Sequence, residues 1–159
     1  MKYFVAFLLL FPNLLENPQK DYKAEDLACL TANLYFEARG DSTEGLQSVA
    51  DVTMNRVRSK IYPKSICLVV FQKKQFSWTH QIKWDRIQRT LNGLEPSKNP
   101  LEVSAYQRCK IIASRAVLES FRILPESVMW YHSLDVKPIW RLGLKKYKVI
   151  GKHVFYESK

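Results

Sequence analysis

Cysteine is scarce in this sequence: Cys29, Cys67 and Cys109 are the only three in 159 residues, far apart and with no C-x-x-C pair. An odd, widely spaced set suggests neither a zinc site nor a disulfide framework. Each stands among apolar neighbours, so three buried free thiols are expected. Histidine is as sparse. His132 and His153 are 21 positions apart, with no third ligand at a recognisable spacing although His80 supplies a further nitrogen. No metal and no cofactor are therefore expected, and the histidines read as hydrogen-bonded structural or substrate-contacting groups. Internal repeats and low-complexity tracts are missing. So is any apolar run long enough to cross a bilayer: Tyr3 to Phe11, after Lys2, is nine residues before Pro12 and Asn13 break it. That length suits a signal-peptide core, although no small-x-small cleavage site follows. Residues 1–23 are expected to be an apolar signal or membrane-tethering segment with a short polar linker. The competing reading is a greasy first helix packed on the domain.

What is abundant is positive charge. The formal net charge is +10, with 25 Lys and Arg against 15 Asp and Glu. Residues 1–50 hold four basic and seven acidic residues, whereas residues 51–100 hold ten and three. An acidic opening is thus followed by a basic remainder, which attracts an anionic polymer. Nucleic acid, a membrane surface and a cell wall bearing carboxylates or phosphates all qualify. Between Lys73 and Arg89 basic residues interleave with aromatics, as in single-strand binders. No nucleic-acid-binding motif accompanies them, so nucleic acid is not the expected partner.

With 47% hydrophobic residues, the remaining chain can fill one core, and residues 24–159 are expected to form one domain. Leu27, Leu30, Leu34 and Ala38 recur at helical steps from Ala24, with Glu25 and Asp26 at the positive end and Gly40 as the stop. A second helix follows a Ser42 or Thr43 cap. Its apolar stripe is Leu46, Val49, Ala50, Thr53 and Val57, with Arg56, Arg58 and Lys60 at its C-terminal end. Ile66 to Phe71 is a short apolar segment, and Pro96 and Pro100 bracket a loop. After Asn99, Leu101, Ala105, Cys109, Ile112 and Ala116 mark a long helix. "VMWYHS" and "HVFYES" read as strands, and "KVIG" between them as a third strand or a turn. The expected class is α+β, a mainly helical body followed by a small antiparallel β element.

The chemistry concentrates in "LYFEARGD". Glu37 closes an otherwise apolar helix beside Phe36, where burial would raise a carboxyl's pKa and suit it to general acid work. The competing reading is a surface glutamate paired with Arg39 or Arg56.

"LYFEARGDSTEGLQSVADVTMNRVRS", "YPKSICLVVFQKKQFSWT" and "MWYHSLDVKPIWRLGLKKYKVIGKHVFYES" lie in order along residues 25 to 157. Together they resemble the SleB/CwlJ family of cell-wall hydrolases, which includes spore-cortex-lytic enzymes and phage lytic proteins. Asp41 stands where the family motif more usually has glutamate. The resemblance implies a lysozyme- or lytic-transglycosylase-like fold. It also implies cleavage of peptidoglycan glycan strands between N-acetylmuramic acid and N-acetylglucosamine, with Glu37 as the catalytic residue. A lytic transglycosylase manages with one glutamate acting as acid and then base, because the muramic 6-hydroxyl is a built-in nucleophile. A hydrolytic muramidase needs a second carboxylate, for which Glu44 is the candidate; the plainer reading of Glu44 is a helix N-terminal residue. Phe76, Trp78, Trp84, Trp130, Tyr131 and Trp140 are candidate sugar platforms, though aromatics are more often core. By motif position Gln75, Ser77, Trp78, Tyr131, His132 and Trp140 are expected to bind substrate. Peptidoglycan is the implied partner of a monomer that is exported to the wall, through a signal or anchor, or released to it as a phage lysis protein. A wall-binding module without activity is the remaining alternative.

Overall fold

The computed structural model describes residues 22–80, 82 and 99–159. The apolar segment before Pro12, Trp84, Pro96 and most of the basic stretch to Arg89 lie outside the described residues. Among the described residues no helix is long and apolar enough to cross a membrane.

Helix α1 (Ala24–Ala38) packs its Leu30 and Leu34 face against α2 (Thr43–Arg58), α3 (Ile66–Val70) and α4 (Pro100–Val117). Ser42 caps α2, its hydroxyl accepting from Gly45 N at 3.1 Å, as Ser does for an orphan amide in a first turn. Asn99 caps α4 in the same way through Leu101 N, with Pro100 in its first turn.

Helix α2 departs from the single-stripe pattern, because every residue from Gly45 to Val57 is buried. Its polar residues are tolerated there because each makes at least one hydrogen bond, although Gln47 Oε1 and Arg56 Nη1 have no partner among the described residues. Asp51 Oδ2 accepts from Ile123 N at 2.7 Å and Leu124 N at 2.9 Å. Asn55 Nδ2 donates to Pro125 O at 2.8 Å and Val128 O at 2.9 Å, and Arg56 Nε donates to Met129 O at 2.8 Å. Asp51, Asn55 and Arg56 thus lash the segment 122–129 to the central helix and fix where the sheet begins. Arg56 is no solvated helix-end cation, whereas Lys60 is exposed and Arg58 pairs with Glu119 at 2.8 Å.

The cysteine expectation is corrected in two of its three positions. Cys29 on α1 and Cys67 on α3 form a disulfide, with Cα atoms 5.2 Å apart at a sequence separation of 38; Cys109 is free and buried. What brings the pair together is Asp26. Its carboxylate faces the start of α3, accepting from Ile66 N at 3.0 Å and Cys67 N at 3.3 Å, so it serves that helix's N-terminus as well as its own.

The sheet comprises β1 (Val128–Ser133), β2 (Leu144–Ile150) and β3 (His153–Ser158), antiparallel in the order β1-β3-β2. Tyr131 pairs with Phe155, and Ile150 with His153. At the turn between β2 and β3, Gly151 has φ +54° and a Cβ there would meet the Asp41 carboxyl at 2.0 Å. Only glycine satisfies both demands, and the hairpin therefore closes directly over Asp41.

Candidate active site

Glu37 sits in the last turn of α1, half-buried, where the helical body meets the sheet. It lines a depression of about 630 Å³ with Arg56 from α2, Gln75, Phe76 and Ser77 from the loop after α3, and Tyr131 and His132 from β1. A second depression, of about 350 Å³, lies on the Gly40 side and is lined by Asp41, Asp135 and Lys152. Phe36, Glu37, Ser133 and His153 border both. Glu37 therefore stands where the two depressions adjoin as halves of one groove.

Burial raises the Glu37 pKa, and it outweighs the hydrogen bond from Tyr131 and the charge of Arg56, which act in the other direction. The Tyr131 hydroxyl donates to Glu37 Oε2 at 3.4 Å. Arg56, 4% exposed, has an Nη1 with no hydrogen-bond partner among the described residues. It is a fixed positive charge that favours the carboxylate Glu37 becomes after giving up its proton.

Gln75, Ser77, Tyr131 and His132 are all brought to the larger depression. His132 is committed, Nδ1 donating to Ser133 O at 2.7 Å and Nε2 accepting from the Tyr156 hydroxyl at 2.9 Å. Two expected platforms are elsewhere. Trp78 is 6% exposed, stacks on Phe36 at 4.8 Å and donates Nε1 to Asn33 Oδ1 at 3.2 Å, which makes it core. Trp140 is exposed but packs on His132 and Tyr156 and borders neither depression. Nor does Trp130, whereas Phe76 is a buried part of the wall. Glu44 is exposed in the first turn of α2 and borders neither depression, which matches its plainer reading.

Asp41 and His153 escaped the sequence reading as a pair. Asp41, 6% exposed, accepts from Ser42 N at 2.7 Å, Lys152 N at 2.9 Å and His153 Nδ1 at 3.1 Å. Burial opposes its charge, but the two amides and the imidazole outweigh that and hold its carboxyl below its ordinary pKa. The signal available is the "IGKH" of the closing block, where His153 reads as a hydrogen-bonded structural or substrate-contacting group but nothing in the sequence names its partner. Among the described residues no three His, Cys, Asp or Glu side chains are grouped to share a metal ion.

Comparison with known proteins adds three findings. A family model described as Cell Wall Hydrolase matches residues 40–156, beginning three residues after Glu37. A spore cortex-lytic enzyme of Bacillus subtilis is 24% identical over 146 residues, 86% of this chain, and one of Oceanobacillus iheyensis is 30% identical over 94 residues, 54% of it. The matched regions amount to 39% and 34% of those two relatives, so the chain spans well under half of their lengths. Among solved structures, the catalytic domain of the Bacillus cereus SleB protein superposes with a TM-score of 0.64 at 22% identity, covering 87% of this chain and 94% of that one. The catalytic domain of the germination-specific lytic transglycosylase SleB from Bacillus anthracis gives 0.67 at 23%, covering 87% and 98%. The architecture is shared over nearly the whole of both domains.

Proposed function

Because this chain belongs to the cell wall hydrolase family, we propose that it cleaves the glycan strands of peptidoglycan between N-acetylmuramic acid and N-acetylglucosamine, as a lytic transglycosylase with Glu37 its general acid. The observation that carries this reading is the position of Glu37, half-buried where the two halves of one groove join, with a pKa raised by burial. A carboxyl that keeps its proton nearer neutrality can protonate the glycosidic oxygen as the bond breaks. The muramic 6-hydroxyl then closes on its own anomeric carbon, an intramolecular step that needs no bound water. The exposed position of Glu44 weighs against hydrolysis through that residue as second carboxylate.

The substrate is wall polymer rather than nucleic acid, and the basic surface serves attraction to an anionic wall. Such a substrate lies outside the membrane, and the Cys29–Cys67 disulfide suits an exported protein in an oxidising compartment. Residues 1–23 are proposed to deliver or tether it there, as a monomer. E37Q tests the assignment against a wall-binding role: the variant should sediment with purified peptidoglycan as wild type does while releasing no soluble muropeptides. Release at the wild-type rate by E37Q would remove Glu37 from the mechanism.

A further inference from the structure

The geometry points to His153, oriented by Asp41, as the base that takes the proton from the nucleophile after Glu37 has protonated the leaving oxygen. This rests on the reading that glycan strands are cleaved in this groove, and it divides between two residues the work that a single glutamate would otherwise do twice.

Asp41 is caged. Its Oδ1 accepts from Ser42 N and its Oδ2 from Lys152 N and His153 Nδ1. A Cβ at Gly45 would meet the carboxyl at 2.4 Å and one at Gly151 at 2.0 Å, so backbone from the start of α2 and from the β2–β3 turn closes on it. An ionised carboxylate only accepts, so the proton of neutral His153 is on Nδ1 and the lone pair is on Nε2. His153 is 4% exposed, and its Nε2 has no hydrogen-bond partner among the described residues. The imidazole borders both halves of the groove, as Glu37 does. Tyr131 joins the two: its ring meets the His153 ring edge-on at 5.2 Å and its hydroxyl reaches Glu37. An acid and a lone-pair acceptor thus flank one tyrosine in the wall of the larger depression, and an aspartate stands behind the acceptor to stabilise the imidazolium it becomes.

The charged and titratable groups that share the two depressions with His153 are Glu37 on α1, Arg39 and Asp41 in the α1–α2 turn, Arg56 on α2, Lys74 and His80 after α3, Tyr131 and His132 on β1, Asp135 after β1 and Lys152 in the hairpin turn. Burial lowers the His153 pKa and outweighs the Asp41 bond and charge, with His132 and Lys152 adding to the fall. At neutral pH the imidazole is therefore free to accept. First the bond from the anomeric carbon to the bridging oxygen breaks, that oxygen takes the Glu37 proton, and the carbon is left electron-poor. The 6-hydroxyl oxygen then bonds to that carbon on the face the leaving group has vacated, and its proton passes to His153 Nε2. Solvent then returns a proton from the imidazolium to Glu37, restoring both groups.

The test is cleavage of soluble glycan strands by wild type, E37Q and H153A across pH, with and without added imidazole. H153A should lose on the order of 10²–10⁴-fold in kcat with KM nearly unchanged. Imidazole should restore part of that loss, and the acid-side limb of the pH profile should vanish. A folded H153A with wild-type kcat, or one that keeps the acid limb, overturns the assignment while leaving Glu37 in place; no cleavage by wild type would instead overturn the functional reading itself. Should H153A not fold, ¹⁵N NMR of wild type decides: proton on Nδ1, with the Nε2 resonance moving when a glycan fragment binds, supports the role. A proton on Nε2 contradicts it.

Discussion

The hydroxyl of Tyr131 donates to Glu37 Oε2 across 3.4 Å, joining the first strand of the sheet to the last turn of the first helix. Their residues are 94 positions apart, and the bond opposes part of the upward pull that burial exerts on Glu37. Y131F removes a donor that favours the carboxylate, so the Glu37 pKa rises further. The alkaline limb of the kcat profile should move to higher pH, with KM little affected. An unmoved limb would mean that Tyr131 does not act on the acid.

Periodicity and caps are enough to place α1, α2, α4, β1 and β3, because helix and strand spacing are local properties of the chain, whereas of β2 only the end shows, in a "KVIG" that reads equally as a strand or a turn. Partners distant in sequence were not legible. Glu37 stood out since its apolar neighbours are adjacent in sequence. Asp26 looked like a dipole residue until α3 folded onto it, and Trp78 looked like a platform although its indole reaches Asn33, 45 positions away. Asp41 and His153 lie 112 positions apart, and only closure of the hairpin over Asp41 brings them together.

A half-buried acid with a raised pKa costs stability when ionised. The sign follows from linkage: the fold prefers protonated Glu37, so its contribution is full below the unfolded value and is lost as pH rises through the folded one. E37Q should therefore melt above wild type at pH 7, and the gain should shrink towards pH 4. Calorimetry across that range checks this; a Tm for E37Q below wild type at pH 7 would contradict it.

Asn55 bridges the central helix to the start of the sheet, donating to Pro125 O and Val128 O and accepting from Arg122 Nη2 at 3.0 Å. N55A leaves two carbonyls without these donors, at a cost of about 2–4 kcal/mol. For a chain of this size that lowers Tm by about 5–15 °C. A loss under about 2 °C would show that these bonds are replaced by solvent.

The disulfide closes a loop of 38 residues, for which chain entropy gives about 4 kcal/mol. Reductant, or C29S with C67S, should lower Tm substantially, and thiol titration of the unfolded, unreduced protein should count one free cysteine, Cys109. Three titrating thiols would refute the pairing.

The most direct measurement is mass spectrometry of the muropeptides released from purified peptidoglycan by wild type and E37Q. The account predicts 1,6-anhydromuramic ends from wild type and no release by E37Q. Reducing muramic ends in their place would contradict transglycosylation and require an activated water. Full release by E37Q would contradict Glu37 as the acid.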